Sequence, residues 1–205
     1  MKTIITFLLL AGMISAQAIH RLTPGTKGNK IILTIENSSN ATDMTDIKTV
    51  VSKQLSSINF QLSEKEIEKI EKQSSKDVEF TFDVNRTVDI NKTDTLKFLI
   101  TTKVGSWTKE ILIGYESPTE YKLEQNYPNP FNPETVIGYQ LPVSSKVTLK
   151  IYDILGREVV TLVDERQEVG YYEKKFNAEN LASGMYIYRL TAEKVNLVKK
   201  MMVPK

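Results

Sequence analysis

Eight consecutive residues, Asn126-Tyr127-Pro128-Asn129-Pro130-Phe131-Asn132-Pro133, constrain this chain more than any others. Each of the three prolines fixes its own φ and drives the preceding residue toward extended geometry. The segment therefore cannot be helical and has few alternative shapes. Asparagine side chains bond to nearby backbone, as in Asx turns, and replace missing ladder partners. Tyr127 and Phe131 are each large enough to pin such an arch onto a core. A flexible linker would favour Gly and Ser and would not need two aromatics. Alternating strands follow the segment to the end of the chain, so the arch is expected to open a domain.

Those strands are legible by their period of two. Thr135 to Leu141 is stopped by Pro142, and Lys146 to Tyr152 sets Val147, Leu149 and Ile151 on one face. Asp153-Ile154-Leu155-Gly156-Arg157 reads as a hairpin connection, with Gly156 placed for positive φ. Glu158 to Asp164 and Gly170 to Asn177 follow. Leu181-Ala182-Ser183-Gly184 then turns into Met185 to Ala192, where Tyr186, Tyr188 and Leu190 share a face. Val195 to Val203, with Lys199 and Lys200, closes the run.

From Arg21 to Ser117 the pattern is also β. Strands are expected over Lys30 to Glu36, Val78 to Val84, Thr95 to Val104 and Trp107 to Tyr115, with weaker ones over Ile47 to Lys53 and Ile58 to Leu62. Gly105-Ser106 reads as a two-residue hairpin turn. Ser63-Glu64-Lys65-Glu66 has a capping-box pattern leading into Ile67 and Ile70, which predicts a helical turn between strands. Ser117-Pro118-Thr119-Glu120 is polar and unpatterned and marks the boundary.

The first eighteen residues have the anatomy of an export signal. Lys2 is the basic n-region, Ile4 to Ile14 is almost unbroken apolar sequence, and Ala16-Gln17-Ala18 offers a small-x-small cleavage site at Ala16 and Ala18. The mature chain is then expected to begin near Ile19, with His20 at a frayed terminus.

Composition narrows the chemistry. The chain has no cysteine and one histidine, which excludes disulfides, zinc–thiolate sites, cysteine nucleophiles and histidine triads. With 27 basic and 25 acidic residues the net charge is +2, and no basic block marks a nucleic-acid partner. Asp83, Asn85, Asp89, Asn91 and Asp94 are oxygen ligands that calcium could use, but they lack the glycine and terminal glutamate of an EF-hand loop. A solvated turn explains them more simply. Trp107 with Tyr115 could offer a sugar platform, although a lone Trp beside a hairpin is more often core. The expectation is a protein that is not an enzyme, with no catalytic residue, metal or cofactor.

Residues 121–205 resemble the C-terminal sorting domain of bacterial type IX secretion substrates, which is similar to the Ig-like domain of the flagellar hook-capping protein. The resemblance rests on the arch, on Tyr152-Asp153-Ile154-Leu155-Gly156-Arg157-Glu158, on Gly170-Tyr171, on Leu181-Ala182-Ser183-Gly184-Met185-Tyr186, and on Lys199-Lys200-Met201-Met202-Val203. More loosely, residues 28–115 resemble bacterial Ig-like surface modules, through Leu33-Thr34-Ile35-Glu36-Asn37-Ser38 and the alternation from Val78 to Val84.

These resemblances imply an all-β chain of two consecutive Ig-like antiparallel β-sandwich domains after a signal peptide. The expected divisions are 1–18, a cargo domain at 19–117 and a sorting domain at 118–205. They also imply passage through the periplasm to the cell surface or medium. The implied partners are signal peptidase, the type IX outer-membrane translocon, its sortase-like peptidase and surface lipopolysaccharide as an anchor. The sorting motif would comprise Asn126, Tyr127, Pro128, Asn129, Pro130, Phe131, Asn132, Pro133, Gly156, Gly184, Tyr186, Lys199 and Lys200. The cargo is expected to be a non-catalytic adhesive or spacer module, with a small carbohydrate-binding or calcium-dependent surface enzyme or module as the alternative.

Overall fold

A computed structural model describes residues 4–9 and 18–204, and among these no residue is helical. The chain divides into two compact units, Met1–Glu116 and Ser117–Lys205.

The N-terminal unit is a sandwich of two sheets. Its strands are β1 (Ile4–Leu9), β2 (Ile19–Leu22), β3 (Asn29–Asn37), β4 (Met44–Lys53), β5 (Ile58–Phe60), β6 (Glu64–Ile70), β7 (Ser74–Val84), β8 (Asp94–Thr102) and β9 (Gly105–Tyr115). One sheet has the order β1-β3-β7-β5, the other β2-β9-β8-β4-β6. Alternation dictates the packing: every odd residue of β3 is buried, and β7 buries Val78, Phe80, Phe82 and Val84. Phe80 meets Phe98 of the opposite sheet at 5.1 Å between ring centroids, and Phe60 closes edge-on against both. Pairing is antiparallel except for β1 with β3 and β2 with β9, which are parallel.

Several expectations are corrected here. Residues 64–70 form a strand, because they pair with β4 from Val50 opposite Glu64 to Met44 opposite Ile70. Lys48 reaches Glu64 at 2.5 Å, and Lys69 reaches Asp43, just before β4, at 2.7 Å. A charged edge strand and a charged helical turn look alike over seven residues, and cross-strand pairing decides between them. The β8–β9 turn falls on Lys103-Val104, since Thr102 pairs with Gly105. The Thr102 hydroxyl accepts the Val104 N–H and donates to the Gly105 carbonyl, which fixes the turn two residues earlier than the glycine indicates. His20 is not at a frayed end: it lies in β2 opposite Ile113, and partial burial with nearby Lys109 lowers its pKa. Of the small-x-small site, Ala16 lies outside the described residues, and Ala18 is exposed just before β2.

The C-terminal unit is a second sandwich. Its strands are β10 (Lys122–Leu123), β11 (Glu134–Leu141), β12 (Ser145–Tyr152), β13 (Glu158–Gln167), β14 (Gly170–Asn177), β15 (Gly184–Ala192) and β16 (Val195–Val203). They form sheets of order β10-β11-β14 and β13-β12-β15-β16, paired antiparallel throughout. Ile137, Tyr139 and Leu141 of one sheet pack against Val147, Leu149, Ile151, Tyr188 and Leu190 of the other. The period-two pattern of β11, β12 and β15 produces this core directly.

Candidate functional site

In the C-terminal unit the proline-rich arch and the last strand are bonded together. The Asn129 side-chain carbonyl accepts the Met202 N–H at 2.9 Å, and the Phe131 N–H donates to the Met202 carbonyl at 3.2 Å. Gln125 reaches the Lys200 carbonyl through Nε2 at 2.7 Å. Register places Gly184 opposite Val203 and Tyr152 opposite Ile187. The β12–β13 hairpin, the start of β15, the end of β16 and the arch therefore share one end of this domain.

Asn126 organises the arch from inside. Its side chain is 2% exposed, and Nδ2 donates to the Pro128 carbonyl at 3.1 Å and to Thr135 Oγ1 at 2.9 Å. Thr135 in turn donates to the same Pro128 carbonyl at 2.8 Å. The Asn126 N–H donates to the Tyr188 hydroxyl at 2.9 Å, and that hydroxyl donates to the Glu124 carbonyl at 2.7 Å. Burial pushes the Tyr188 phenol up to about 12, so at neutral pH it keeps its proton and can accept and donate at once. The asparagine thus satisfies backbone that prolines leave without donors.

The aromatics of the arch divide. Phe131 is buried and meets Phe176 at 6.0 Å between centroids. Tyr127 does not pin anything: only its backbone is held, in a bridge to Val136, and the residue is 82% exposed. The register of that bridge points its ring away from the core, so one aromatic anchors the arch and the other is presented by it.

The hairpin is clamped by Asp153. Its carboxylate accepts the N–H groups of Leu155 and Arg157, each at 2.9 Å, and pairs with the Arg157 Nε at 2.7 Å. The backbone bond from Arg157, foremost, holds the Asp153 carboxyl below its usual pKa. This contribution is present at neutral pH and is lost only as pH falls through that lowered value. Gly156 has φ +79°, and a Cβ there would meet nothing within 4 Å. A substitution at Gly156 therefore acts through backbone conformation alone. Gly156→Val is expected to destabilise the domain by about 1–2 kcal/mol, and Gly156→Asn by distinctly less, in chemical denaturation. Equal effects would contradict the turn geometry.

Of the remaining motif residues, Tyr186 is buried with its hydroxyl donating to the Ala182 carbonyl at 2.8 Å, while Lys199 and Lys200 are exposed on β16. Pro128, Pro130, Asn132 and Pro133 are exposed along the arch. The residues that lock the assembly, Gln125, Thr135 and Tyr188, were not singled out from sequence. Tyr188 stands 62 residues from its Asn126 partner, a distance no local pattern bridges. Ile154 and Leu155, part of the hairpin motif, are 67% and 73% exposed at the hairpin tip.

The candidate residues of the N-terminal unit are not brought together. The Asp83 carboxylate accepts the Gly28 N–H at 2.8 Å, Asp89 accepts the Asn91 N–H at 3.0 Å, and Asp94 pairs with Lys92 at 3.0 Å. Among the described residues no group of three or more acidic or histidine side chains is placed to hold a metal. Trp107 is 39% exposed near the hairpin tip, contrary to the core placement expected for it, whereas Tyr115 is buried at the far end of β9.

Residues 125–204 match the family described as the secretion system C-terminal sorting domain. No curated protein matches the chain. Similar solved structures include dimeric latent PorU from Porphyromonas gingivalis, at 12% identity and TM-score 0.34, covering 92% of this chain and 19% of that one. A protein of unknown function from Porphyromonas gingivalis W83 is similar at 9% identity and TM-score 0.33, covering 90% and 94%. Domains 3 and 4 of rat CD4 are similar at 14% identity and TM-score 0.27, covering 98% and 100%.

Proposed function

We propose, from the premise that residues 125–204 are a type IX sorting domain and that the protein is accordingly secreted or displayed at the cell surface, that the arch, hairpin tip and last strand form the surface by which the folded domain is handed to the outer-membrane translocon. The observation that carries this reading is the bonding of the arch to β16 at Met202 and Lys200. It makes one rigid surface from the motifs at the two ends of the domain. Signal peptidase would remove residues 1–18 at the inner membrane. A sortase-like peptidase would act after translocation, releasing the cargo or joining it to surface lipopolysaccharide.

The cargo at residues 19–117 reads best as a non-catalytic adhesive or spacer module. Its acidic side chains are engaged with its own backbone and lysines, as described for Asp83, Asp89 and Asp94. The exposed Trp107 favours a second reading, a sugar-binding face at the β8–β9 hairpin, since Trp side chains supply apolar platforms with a polar edge.

Residues 118–205 fused behind a signal peptide and a fluorescent reporter are expected to carry the reporter to the surface of a host with a type IX translocon, and to leave it in the periplasm of a host without one. Periplasmic retention in both hosts would refute the assignment of the address to these residues. A glycan array with the mature protein and its Trp107→Ala variant separates the cargo readings: loss of a glycan signal in the variant supports sugar binding, and silence in both supports the spacer.

A further inference from the structure

The strand β3 is an open edge once residues 1–18 are gone, and its sequence is self-complementary. In the structure that edge is covered only by β1, which pairs with it from Ile4 opposite Lys30 to Leu9 opposite Ile35. The next segment, β2, belongs to the other sheet and lies against β9. Removal of the leader therefore exposes the whole outer ladder of a nine-residue strand.

Long, flat, uncharged edges template further pairing, and proteins normally blunt them. The other edges of this unit are short or charged: β2 has four residues and β5 three, while β6 carries five charged residues among its seven. The part of β9 that β2 leaves uncovered carries Lys109 and Glu110, and the part of β7 that β5 leaves uncovered carries Lys76, Asp77 and Glu79. β3 has neither safeguard. Ile31-Ile32-Leu33-Thr34-Ile35 contains no charge, proline or glycine, and the two charges, Lys30 and Glu36, sit near opposite ends.

Those charges choose a partner. Laid antiparallel on itself about Leu33, the strand sets Lys30 against Glu36 of the second copy, Ile31 against Ile35, Ile32 against Thr34, and Asn29 against Asn37. Both charge pairs become attractive, and buried residues stay on the core face because the opposed residues share parity. A shift of two residues in either direction loses both charge pairs. We propose that the mature chain dimerises through antiparallel, two-fold pairing of β3 with β3 of a second copy, so that two three-stranded sheets become one. This is an isologous contact that closes after one partner, so it gives a dimer and no fibre.

The inference rests on removal of the leader, which the intact mass of protein recovered from producing cells reports independently. A mass that retains residues 1–18 would overturn it, because β3 would stay covered. With residues 19–205, sedimentation velocity over a wide concentration range is expected to show a reversible monomer–dimer equilibrium. Lys30→Glu or Glu36→Lys alone places like charges opposite each other twice, and should weaken the dimer by about tenfold. Mixing the two variants restores both pairs and should form a heterodimer as tight as the unsubstituted dimer. Lys30 also pairs with Glu79 at 2.9 Å within its own sheet, so melting curves of each variant accompany the measurement. A double Ile32→Cys and Thr34→Cys variant should form cross-chain disulfides in this otherwise cysteine-free protein. A monomer at every concentration, or a dimer indifferent to the charge reversals and to their mixing, would overturn the proposal.

Discussion

A chain lacking residues 199–205 is expected to lose outer-membrane export completely while its leader is still removed. The deletion takes away Met201 and Val203, both buried in the core of the C-terminal unit. Burial of such side chains contributes about 1.5–3 kcal/mol each. It also uncovers β15 from Gly184 to Tyr188, and deprives Gln125, Asn129 and Phe131 of their partners on β16. Together these losses rival the roughly 5–15 kcal/mol that holds a typical domain folded. Immunoblots of periplasm, surface and medium should find the truncated protein in the periplasm. Its arrival at the surface at the full level would sink the reading of the last strand as part of the address. The double variant Lys199→Ala, Lys200→Ala provides the comparison. Both side chains are exposed, so it should melt as the unsubstituted protein does, and any export defect it shows is one of surface recognition.

Asn126→Leu should collapse the arch. The substitution leaves the Pro128 carbonyl with Thr135 alone, removes one of the two acceptors of Gln125 Nε2, and sets an apolar group among buried polar atoms. Losing one buried and one partly buried hydrogen bond while placing an apolar group against polar atoms costs about 2–4 kcal/mol, which for a domain of this size is a drop of roughly 10–20 °C in Tm. Thr135→Val removes one member of the same network and should cost about 1 kcal/mol. A double-mutant cycle should then show strong non-additivity, as for residues that share partners. Tyr127→Ala is the counterpart. Its ring is exposed, so stability should be unchanged, and a loss of export there would identify the ring as a contact. Equal melting of Asn126→Leu and Tyr127→Ala would mean that the buried network contributes nothing.

Legibility followed the strictness of alternation. β3, β7, β11, β12 and β15 each alternate buried and solvent-facing residues over much of their length, and a one-residue slip would invert their faces, so their positions were readable. Residues 64–70 were not. Ile67 and Ile70 stand three apart after a Ser-x-x-Glu pattern, which fits a helical turn as well as an edge strand, and only β4 opposite them breaks the tie. Ile4–Leu9 is a similar ambiguity, since a short apolar run is as compatible with a strand as with a leader. In the candidate site the rigid backbone was legible from its prolines. Which aromatic it buried depended on the bridge between Tyr127 and Val136, and which hydroxyl it needed depended on Tyr188; both are tertiary facts.

The bonds from Gln125 and Asn129 to Lys200 and Met202 span 75 and 73 residues. They set a time as well as a shape. The first half of the bonded surface leaves the ribosome long before the second, and remains unfinished until residues 200–202 have been made. A polypeptide whose synthesis stalls anywhere in β11 to β15 holds the proline-rich motif yet cannot display it in its bonded form. If the joined surface is the address, as proposed above, it would double as proof of completion, since only a molecule translated through residues 200–202 and folded there presents it. On that reading interrupted products would be left behind the outer membrane, within reach of periplasmic proteases.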